Sequence, residues 1–325
     1  MSVATLVYII VIVVARAGTK HTTQIIFPSS AILSITMKNV LVTGANSGIG
    51  LALCKQLCKD HGMNVFLGSR NAEKGQTAVE EVKKHYGSDD APVEVCVIDV
   101  ADDQSVQGAA KSLKDKGVTL YAIFNNAGTG LAHEGVTEQD VMNVNLYGPK
   151  RVVDAFAPLL DPAGSKIINT GSGAGPMYVE KQTSAERKKL LCNPNISWEE
   201  LDALASAGAS QDDPARKGWA GLGPYGLSKA LLYCYTMYTA RTMADKNVAS
   251  FCLSPGFIAT NIVPTDYRSN AKPVEEGTIS LKHCLLDATL KDNNGWFYGS
   301  DAKRSPPHFL RNPGEPVYDG VLPDF

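Results

Sequence analysis

Two side chains that could act together in proton transfer stand four positions apart in this chain, Tyr225 and Lys229. On a helix, residues at positions i and i+4 share a face, so the phenol and the ammonium group would point in the same direction. A free phenol ionises near pH ~10, and a neighbouring positive charge lowers its pKa. Such a tyrosine can donate a proton to a carbonyl oxygen or accept one from an alcohol. The same spacing also fits an ordinary surface pair, so other segments must decide between the two interpretations.

A glycine-rich segment near the start of the chain has the context of a dinucleotide site. The apolar run Asn39–Thr43 predicts a buried strand, and Leu51–Asp60 predicts a helix. Between them, residues 44–50 read Gly-Ala-Asn-Ser-Gly-Ile-Gly. The first glycine would permit a tight turn, the second a close approach to a pyrophosphate, and the third close packing of helix on strand. The helix N-terminus would offer free N–H groups to the phosphates.

The end of the second predicted strand, Asn64–Ser69, bears on the choice of cofactor. Folds that prefer NAD place an acidic residue at about this point, where it binds the ribose 2′-hydroxyl. Here no acidic residue occurs from Val65 to Asn71, and Arg70 offers a guanidinium group that matches a phosphate. The sequence therefore favours NADP over NAD. The alternative is that Arg70 is a solvated residue at a strand end.

Predicted strands and helices alternate through the rest of the chain. The further strands are Val93–Ile98, Leu120–Phe124, Ser165–Thr170, Val248–Leu253 and Gly295–Gly299, and the further helices are Asn71–Tyr86, Asp102–Lys116, Glu138–Leu160, Tyr225–Asp245 and Pro273–Leu286. This order predicts an α/β fold, a Rossmann-like, doubly wound parallel sheet with helices on both faces. Ligands of such sheets bind beyond the carboxyl ends of the strands. Three candidates follow strands there: Asp99, residues 125–128 and Ser172.

These segments occur in one order along the chain. They are Thr43-Gly44-x-x-x-Gly48-Ile49-Gly50, Asn125-Asn126-Ala127-Gly128, Asn145, Ser172, Tyr225-x-x-x-Lys229 and Pro255-Gly256. From about Met37 to Asp301 the chain therefore resembles the short-chain dehydrogenase/reductase family.

The resemblance implies roles for four catalytic residues. Tyr225 would be the acid/base, and Ser172 would hydrogen-bond the substrate oxygen and stabilise charge developing there. Lys229 would lower the pKa of Tyr225 and hold the nicotinamide ribose, while Asn145 would position a water that relays protons to Lys229. The cofactor would be NADP(H), and its implied binding residues are Gly44, Asn46, Ser47, Gly48, Ile49, Gly50, Arg70, Asp99, Val100, Asn126, Ala127, Gly128, Tyr225, Lys229, Pro255, Gly256 and Thr260.

The separation of Ser172 from Tyr225 points to one subgroup. It is 53 positions here, whereas most family members have about a dozen residues between the two. The insertion, residues 176–222, carries two capping boxes that predict helix starts, Thr183…Glu186 and Ser197…Glu200. A long insertion here, together with Gly218-Trp219, resembles the monomeric NADPH-dependent carbonyl reductases. In that subgroup it covers a helix that relatives use to oligomerise; the alternative is a variable surface loop.

One position departs from the subgroup pattern and weakens the expected preference for NADP over NAD. Some carbonyl reductases carry a basic residue within the glycine turn that also binds the 2′-phosphate. This chain has Ser47 there, so the expected preference for NADP rests on Arg70.

Composition excludes several other classes of protein. The chain has 325 residues, 44% of them hydrophobic, with a net charge of −2, so no basic surface for nucleic acid is expected. Its seven cysteines are scattered without a C-x-x-C pair, which is typical of a reduced protein and gives no metal site. Residues 37–325 are predicted to form a single domain, and the five prolines after Ser305 predict either an extended strap or a flexible tail.

The first 36 residues are set outside that domain. They contain no Asp or Glu, and Val3–Ala15 is almost entirely apolar yet shorter than the ~20 residues that cross a bilayer. We consider two interpretations equally, a targeting or anchor segment and a non-native extension preceding a start at Met37. The protein would be cytoplasmic in the second case and organelle-targeted or membrane-associated in the first.

Three functions follow from these observations. The first is NADPH-dependent reduction of a small ketone, aldehyde or quinone by a monomer. The second is a membrane-associated retinol- or steroid-type dehydrogenase anchored through residues 1–36, and the third is a cofactor-binding scaffold whose catalysis is vestigial. The substrate is not identified; candidate pocket residues, which could equally be packing residues, are His133, Met177, Trp219 and Ile262.

Overall fold

The computed structural model describes residues 37–130, 135–208, 222–263 and 265–325. Within them, seven parallel strands form one sheet in the order β3-β2-β1-β4-β5-β6-β7. The strands are β1 Asn39–Val42, β2 Asn64–Ser69, β3 Val93–Val97, β4 Leu120–Asn125, β5 Ser165–Thr170, β6 Val248–Leu253 and β7 Phe297–Tyr298. The chain builds the sheet from β1 to one edge and then returns to build the other half from β4. This confirms the predicted Rossmann-like topology.

Helices cover both faces of this sheet. They are α1 Gly48–His61, α2 Ala72–Tyr86, α3 Asp103–Asp115, α4 Glu138–Met142, α5 Gly148–Phe156, α6 Ala174–Glu180, α7 Ala185–Leu191, α8 Trp198–Ala207, α9 Leu222–Thr242, α10 Ile279–Leu286 and α11 Leu290–Asn293. Successive residues of a strand point to opposite faces. Accordingly Leu41 packs in the cluster that contains α3, α5 and α9, while Val40 and Val42 pack with α1, α2 and α10. All three are fully buried.

The predicted continuous helix Glu138–Leu160 is interrupted. A capping box between Thr137 and Asp140 starts α4, but residues Asn143–Tyr147 then form a π-helical turn before α5. Pro149 has no N–H to donate to the carbonyl of Asn145 four positions earlier, which favours the wider π pattern at this point. The helix predicted at Pro273–Leu286 likewise begins later, at Ile279, after a short 3₁₀ turn.

The insertion before Tyr225 contributes α7 and α8; its residues 209–221 lie outside the described part of the chain. The capping box Ser197…Glu200 is confirmed. The one predicted at Thr183…Glu186 is wrong, because Ser184 is the N-cap of α7 and accepts from the N–H of Arg187. The helix start therefore lies one residue later than the pattern indicated.

Helix α8 is fastened to α9 and to the π-helical turn. The ring of Trp198 lies edge-on to Tyr147 and to Tyr235, with centroids 6.0 and 6.1 Å apart. The Tyr147 hydroxyl donates to Asp202 at 2.7 Å. The insertion thus covers a face of α9 with partly buried aromatic contacts, as expected for packed helices and unlike a variable loop.

The last 21 residues, Ser305–Phe325, form an irregular segment that we call the C-terminal strap. Arg304 stacks 4.1 Å from the Trp296 ring and donates to the carbonyl of Asp319. Arg311 is buried and forms an ion pair with Asp301. Of the two alternatives the sequence left open, the structure shows the strap.

Candidate active site

Tyr225 and Lys229 lie in the first two turns of α9, on one face as their spacing predicts. The Lys229 ammonium nitrogen is 5.7 Å from the centroid of the Tyr225 ring. It donates to the carbonyl of Thr170, the last residue of β5, at 2.9 Å. Lys229 is buried. The pair is therefore held against the carboxyl end of the sheet, where ligands of this architecture bind.

Burial sets the proton affinities of this pair. It raises the pKa of the Tyr225 phenol, while a hydrogen bond with the Ser172 hydroxyl acts in the opposite direction. Burial also lowers the pKa of the Lys229 ammonium group to about 8. The resemblance implies a lowered pKa for Tyr225, whereas here desolvation disfavours the phenolate more than the Ser172 hydroxyl favours it, so the shift is upward. The phenol keeps its proton at neutral pH.

Ser172 lies between β5 and α6, two residues beyond the end of the strand. Its hydroxyl oxygen accepts from the N–H of Ala174 at 3.2 Å and interacts with the Tyr225 hydroxyl. Two hydroxyls that face each other at a strand end can both donate to one oxygen atom of a ligand. This arrangement suits a carbonyl or alcohol oxygen on which negative charge develops.

Asn145 is fully buried in the π-helical turn, and its side chain is committed to protein partners. Its amide nitrogen donates to the Thr129 carbonyl at 2.9 Å and to the Ser228 hydroxyl at 3.0 Å, and its amide oxygen accepts from the Thr129 N–H at 2.9 Å. Ser228 in turn donates to the carbonyl of Tyr225 at 2.7 Å. Asn145 thus ties the segment after β4 to α9.

Neither Thr129 nor Ser228 was singled out in the sequence. Ser228 lies inside the Tyr225–Lys229 motif, and this position is the feature of the sequence that could have identified it. Gly128 lies in the same cluster: a Cβ at this position would be 3.4 Å from the Asn145 amide oxygen and 3.6 Å from the Lys229 nitrogen. The catalytic set is packed closely around this backbone.

The glycine turn is tightly packed, and two of its glycines have positive φ. Gly44 and Gly48 adopt φ of 61° and 57°, and a Cβ on Gly44 would lie 2.7 Å from the Cα of Ala127. A Cβ on Gly50 would lie 2.5 Å from the Asn126 amide nitrogen, so the helix start packs closely against the segment after β4. Ser47 is the N-cap of α1 but its side chain makes no capping hydrogen bond. The first-turn N–H groups of α1 therefore remain suited to phosphate oxygens. Asn46 and Ile49 belong to the same turn.

Thr43 and Asn126 brace this turn. The buried Thr43 hydroxyl accepts from the N–H groups of Asn126 and Ala127, both at 3.0 Å. The Asn126 side chain donates to the carbonyls of Thr43 and Gly44. The sequence implied that Asn126 lines the cofactor, and the structure adds a supporting role: it fixes the turn that would contact the cofactor.

Charged and apolar residues at the ends of β2 and β3 form the side expected to bind adenine. Arg70 is exposed at the end of β2, and Lys74, also exposed, lies in the first turn of α2. Lys74 is a second cation, four positions after Arg70. Asp99 accepts from the N–H of Ala101 at 3.0 Å. Val100 is buried against Gly148.

The opposite side is formed by the segment after β6, which contains Pro255 and Gly256. A Cβ on Gly48 would lie 3.4 Å from a methyl group of Thr260, so this segment faces the glycine turn. A Cβ on Gly130 would lie 3.4 Å from Ile262 and 3.7 Å from the Tyr225 ring. Ile262 and the Tyr225 ring therefore lie on the same side of Gly130.

The other three candidate pocket residues gain less support. Met177 is half-buried in α6, and no contact places it at the reactive hydroxyls. His133 and Trp219 lie outside the described residues. Within the described ranges, no group of three or more His, Cys, Asp or Glu could hold a metal ion, and no helix is long and apolar enough to cross a membrane.

This chain is similar to a family model and to two named enzymes. A family model described as short chain dehydrogenase matches residues 38–184. (+)-Neomenthol dehydrogenase from Arabidopsis thaliana is 31% identical over 292 residues, which cover 81% of this chain and 96% of the relative. Carbonyl reductase (NADPH) 3 from Mus musculus is 25% identical over 271 residues, which cover 79% of this chain and 95% of the relative.

A solved structure agrees on the fold. Menthone neomenthol reductase from Mentha piperita superposes with a TM-score of 0.65 at 24% identity, over 82% of this chain and 99% of that protein. The likeness extends over nearly the whole of the other molecule and includes the parallel sheet described above.

Proposed function

Because the chain belongs to the short-chain dehydrogenase/reductase family, we propose that it uses NADPH to reduce the carbonyl group of a ketone, aldehyde or quinone to an alcohol. The family uses nicotinamide cofactors, and the chain is an oxidoreductase of that family. The finer assignment is supported by relatives whose names are carbonyl reductase and neomenthol dehydrogenase.

One observation carries the proposal: four residues from three parts of the chain converge at the carboxyl edge of the sheet. Ser172 hydrogen-bonds Tyr225, Lys229 lies 5.7 Å from the same ring, and Asn145 holds the helix that carries both. A vestigial scaffold would have no need to keep this set complete and mutually bonded. The site therefore favours catalysis over cofactor binding alone.

The chemistry divides between cofactor and protein. The bound nicotinamide would supply a hydride to the carbonyl carbon. Ser172 and Tyr225 would donate hydrogen bonds to the carbonyl oxygen, and Tyr225 would transfer its proton there as the carbon accepts the hydride. A phenol whose pKa is raised holds its proton at neutral pH, as a donor in a reduction must. Lys229, charged below about pH 8, would stabilise the phenolate that remains.

Asn145 would contribute through its main chain. Its side-chain amide is bonded to Thr129 and Ser228. The main-chain carbonyl oxygen of Asn145 would therefore bind the water of the implied proton relay. Position 149 is proline and offers that oxygen no helical N–H. A water bound there would extend the path by which the phenolate regains its proton.

The preference for NADPH is supported by two cations at the adenine side. Arg70 and Lys74 are exposed on either side of the N-cap of α2, and the sequence from Val65 to Asn71 contains no acid that would bind a 2′-hydroxyl. Guanidinium and ammonium groups both bind phosphate, and the N-terminus of α2 adds a partial positive charge. A relative named for NADPH is consistent with this choice.

The test compares Tyr225→Phe with the wild type on NADPH oxidation by a panel of ketones, aldehydes and quinones. Removing the phenolic proton donor should lower turnover at least about 100-fold while NADPH binding, followed by fluorescence, is largely retained. Tyr86→Phe is the matched control. It removes the same hydroxyl group from an exposed tyrosine at the end of α2.

Each other outcome has a defined meaning. Retained turnover in Tyr225→Phe contradicts the role of the tyrosine. Tight NADPH binding by the wild type without turnover on any carbonyl would favour the scaffold. Equal use of NADH and NADPH would contradict the role assigned to Arg70.

A further inference from the structure

Gly173, the residue after Ser172, has no side chain, and another part of the molecule fills its place. Its N–H donates to the hydroxyl of Ser254 at 3.0 Å, which fixes the backbone here. A Cβ on Gly173 would lie 2.8 Å from a methyl group of Leu310. Leu310, from the C-terminal strap, thus occupies the space beside Ser172 that a side chain at position 173 would take.

The strap holds Leu310 in that position. Its neighbour Arg311 is buried, pairs with Asp301, and donates to the hydroxyl of Ser305 at 3.0 Å and to the carbonyl of Glu315 at 2.9 Å. An arginine bonded to these three partners gives the strap little freedom at this point. Leu310 itself nevertheless keeps 37% of its surface exposed. An anchored leucine with an open face beside a reactive serine is placed to contact a ligand.

A second aliphatic residue lies near Tyr225. A Cβ on Gly130 would lie 3.4 Å from a methyl group of Ile262 and 3.7 Å from an edge carbon of the Tyr225 ring, so both side chains flank the same glycine. Ser172 and Tyr225, whose hydroxyls would bind a carbonyl oxygen, thus each lie near an aliphatic side chain, from two different segments of the chain. Apolar walls of this kind select ligands by size and by lack of polar groups.

We propose that Leu310 is a specificity-determining residue, through which the C-terminal strap forms one wall of the substrate pocket. It favours carbonyl compounds that carry a compact aliphatic or alicyclic group next to the carbonyl. This inference rests on the proposed function, because it describes the pocket of that same reaction.

The experiment compares two apolar ketones that differ in bulk next to the carbonyl, cyclohexanone and 2-tert-butylcyclohexanone, as substrates of the full-length protein. Leu310→Ala should raise the ratio of kcat/KM for the bulky over the compact ketone about 10-fold, mainly through KM, and Leu310→Phe should lower it. The NADPH dissociation constant should stay the same in both variants. Val321→Ala is the matched control, since Val321 lies on the same strap and is 69% exposed.

A double-mutant cycle isolates the contact with Gly173. Gly173→Ala should push Leu310 into the pocket and lower the same ratio, and Leu310→Ala in that background should restore it. If Leu310→Ala does not fold, Leu310→Met and Leu310→Phe provide the measurement.

The two levels of failure are distinguishable. Wild-type turnover with an unchanged ratio in the Leu310 variants overturns this inference and leaves the proposed function standing. Absence of wild-type turnover on any carbonyl refutes the proposed function and this inference with it.

Discussion

At the scale of single residues, burial decides the protonation states of the two reactive groups on α9. Lys229 is 5% exposed and has one carbonyl partner, so its charge is costly and its pKa falls to about 8. The Tyr225 phenol responds in the opposite sense, and its pKa rises. At neutral pH the pair therefore consists of a neutral phenol and an ammonium group, the combination that a proton donor and its supporting cation require.

This desolvation predicts a pH-dependent difference in stability between the wild type and Lys229→Met. The pKa of Lys229 falls from 10.5 to about 8 on folding, so between these values the unfolded chain binds more protons. The free energy of unfolding of the wild type should therefore rise relative to the variant by about 1.4 kcal/mol per pH unit above pH 8. Urea unfolding at pH 7, 8 and 9 measures it, with Lys84→Met as the matched surface control. A difference in unfolding free energy that is constant with pH would contradict the claim that folding lowers the pKa of Lys229.

A second residue-level prediction concerns the adenine side. Arg70→Ala should raise KM for NADPH about 10-fold and leave KM for NADH nearly unchanged, because a lost contact to the 2′-phosphate affects one cofactor only. Lys74→Ala should act in the same direction. Lys84→Ala removes a charge from the exposed end of the same helix and serves as control. An equal effect of Arg70→Ala on KM for both cofactors would mean that the arginine does not bind the 2′-phosphate.

At the scale of elements, the inserted helix α8 depends on a small number of contacts. Trp198 packs between two tyrosine rings, and the Tyr147–Asp202 hydrogen bond joins α8 to the π-helical turn that contains Asn145. Burial and this hydrogen bond both raise the pKa of Tyr147. The insertion thus supports the turn on which one catalytic residue stands.

A double-mutant cycle on Tyr147 and Asp202 tests this link. Tyr147→Phe and Asp202→Ala should each lower the free energy of unfolding by about 1 kcal/mol, and their coupling should be of similar size because they share one hydrogen bond. Thermal or urea unfolding of the four proteins measures it. Additive effects would show that the two side chains act independently of each other.

Local signals predicted some of these elements and missed others. The cap at Ser197…Glu200 depends on four consecutive residues, and the structure confirms it. The π-helical turn has a local cause in Pro149, but a period of 3.6 residues extends through it unchanged, so the pattern indicated one helix. The direction of the Tyr225 pKa shift depends on strands distant in sequence that exclude water, and no local spacing reports that.

At the scale of the whole molecule, the candidate site collects residues from position 43 to position 310. The alternation of strands and helices predicted that the site residues up to Thr260 would meet at one edge of the sheet, since parallel strands share their carboxyl end. The role of Leu310 could not be predicted, because a proline-rich tail carries no periodicity that says where it packs. The ion pair between Arg311 and Asp301 holds the strap in place, and it joins two residues ten positions apart in the sequence.

The insertion also bears on assembly, and we propose that the protein is a monomer. Helices α7 and α8 cover a face of α9, with the Cys234 thiol donating to the Leu191 carbonyl and Arg241 donating to the carbonyl of Ile196. Sedimentation equilibrium should give the mass of one chain, 34.7 kDa. Trp198→Ala, which loosens α8, should increase association. A wild-type mass of two or four chains would contradict the proposal.

The central claim, hydride transfer to a carbonyl with Tyr225 as proton donor, is tested most directly by following the transferred atom. Wild-type protein is incubated with a ketone and NADPH deuterated at the transferable position of the nicotinamide, and the alcohol is analysed by mass spectrometry and NMR. The account predicts one deuterium on the carbinol carbon with the wild type and with Tyr86→Phe, and almost none with Tyr225→Phe. Alcohol formed without deuterium at that carbon, or deuterium transferred equally well by Tyr225→Phe, would contradict it.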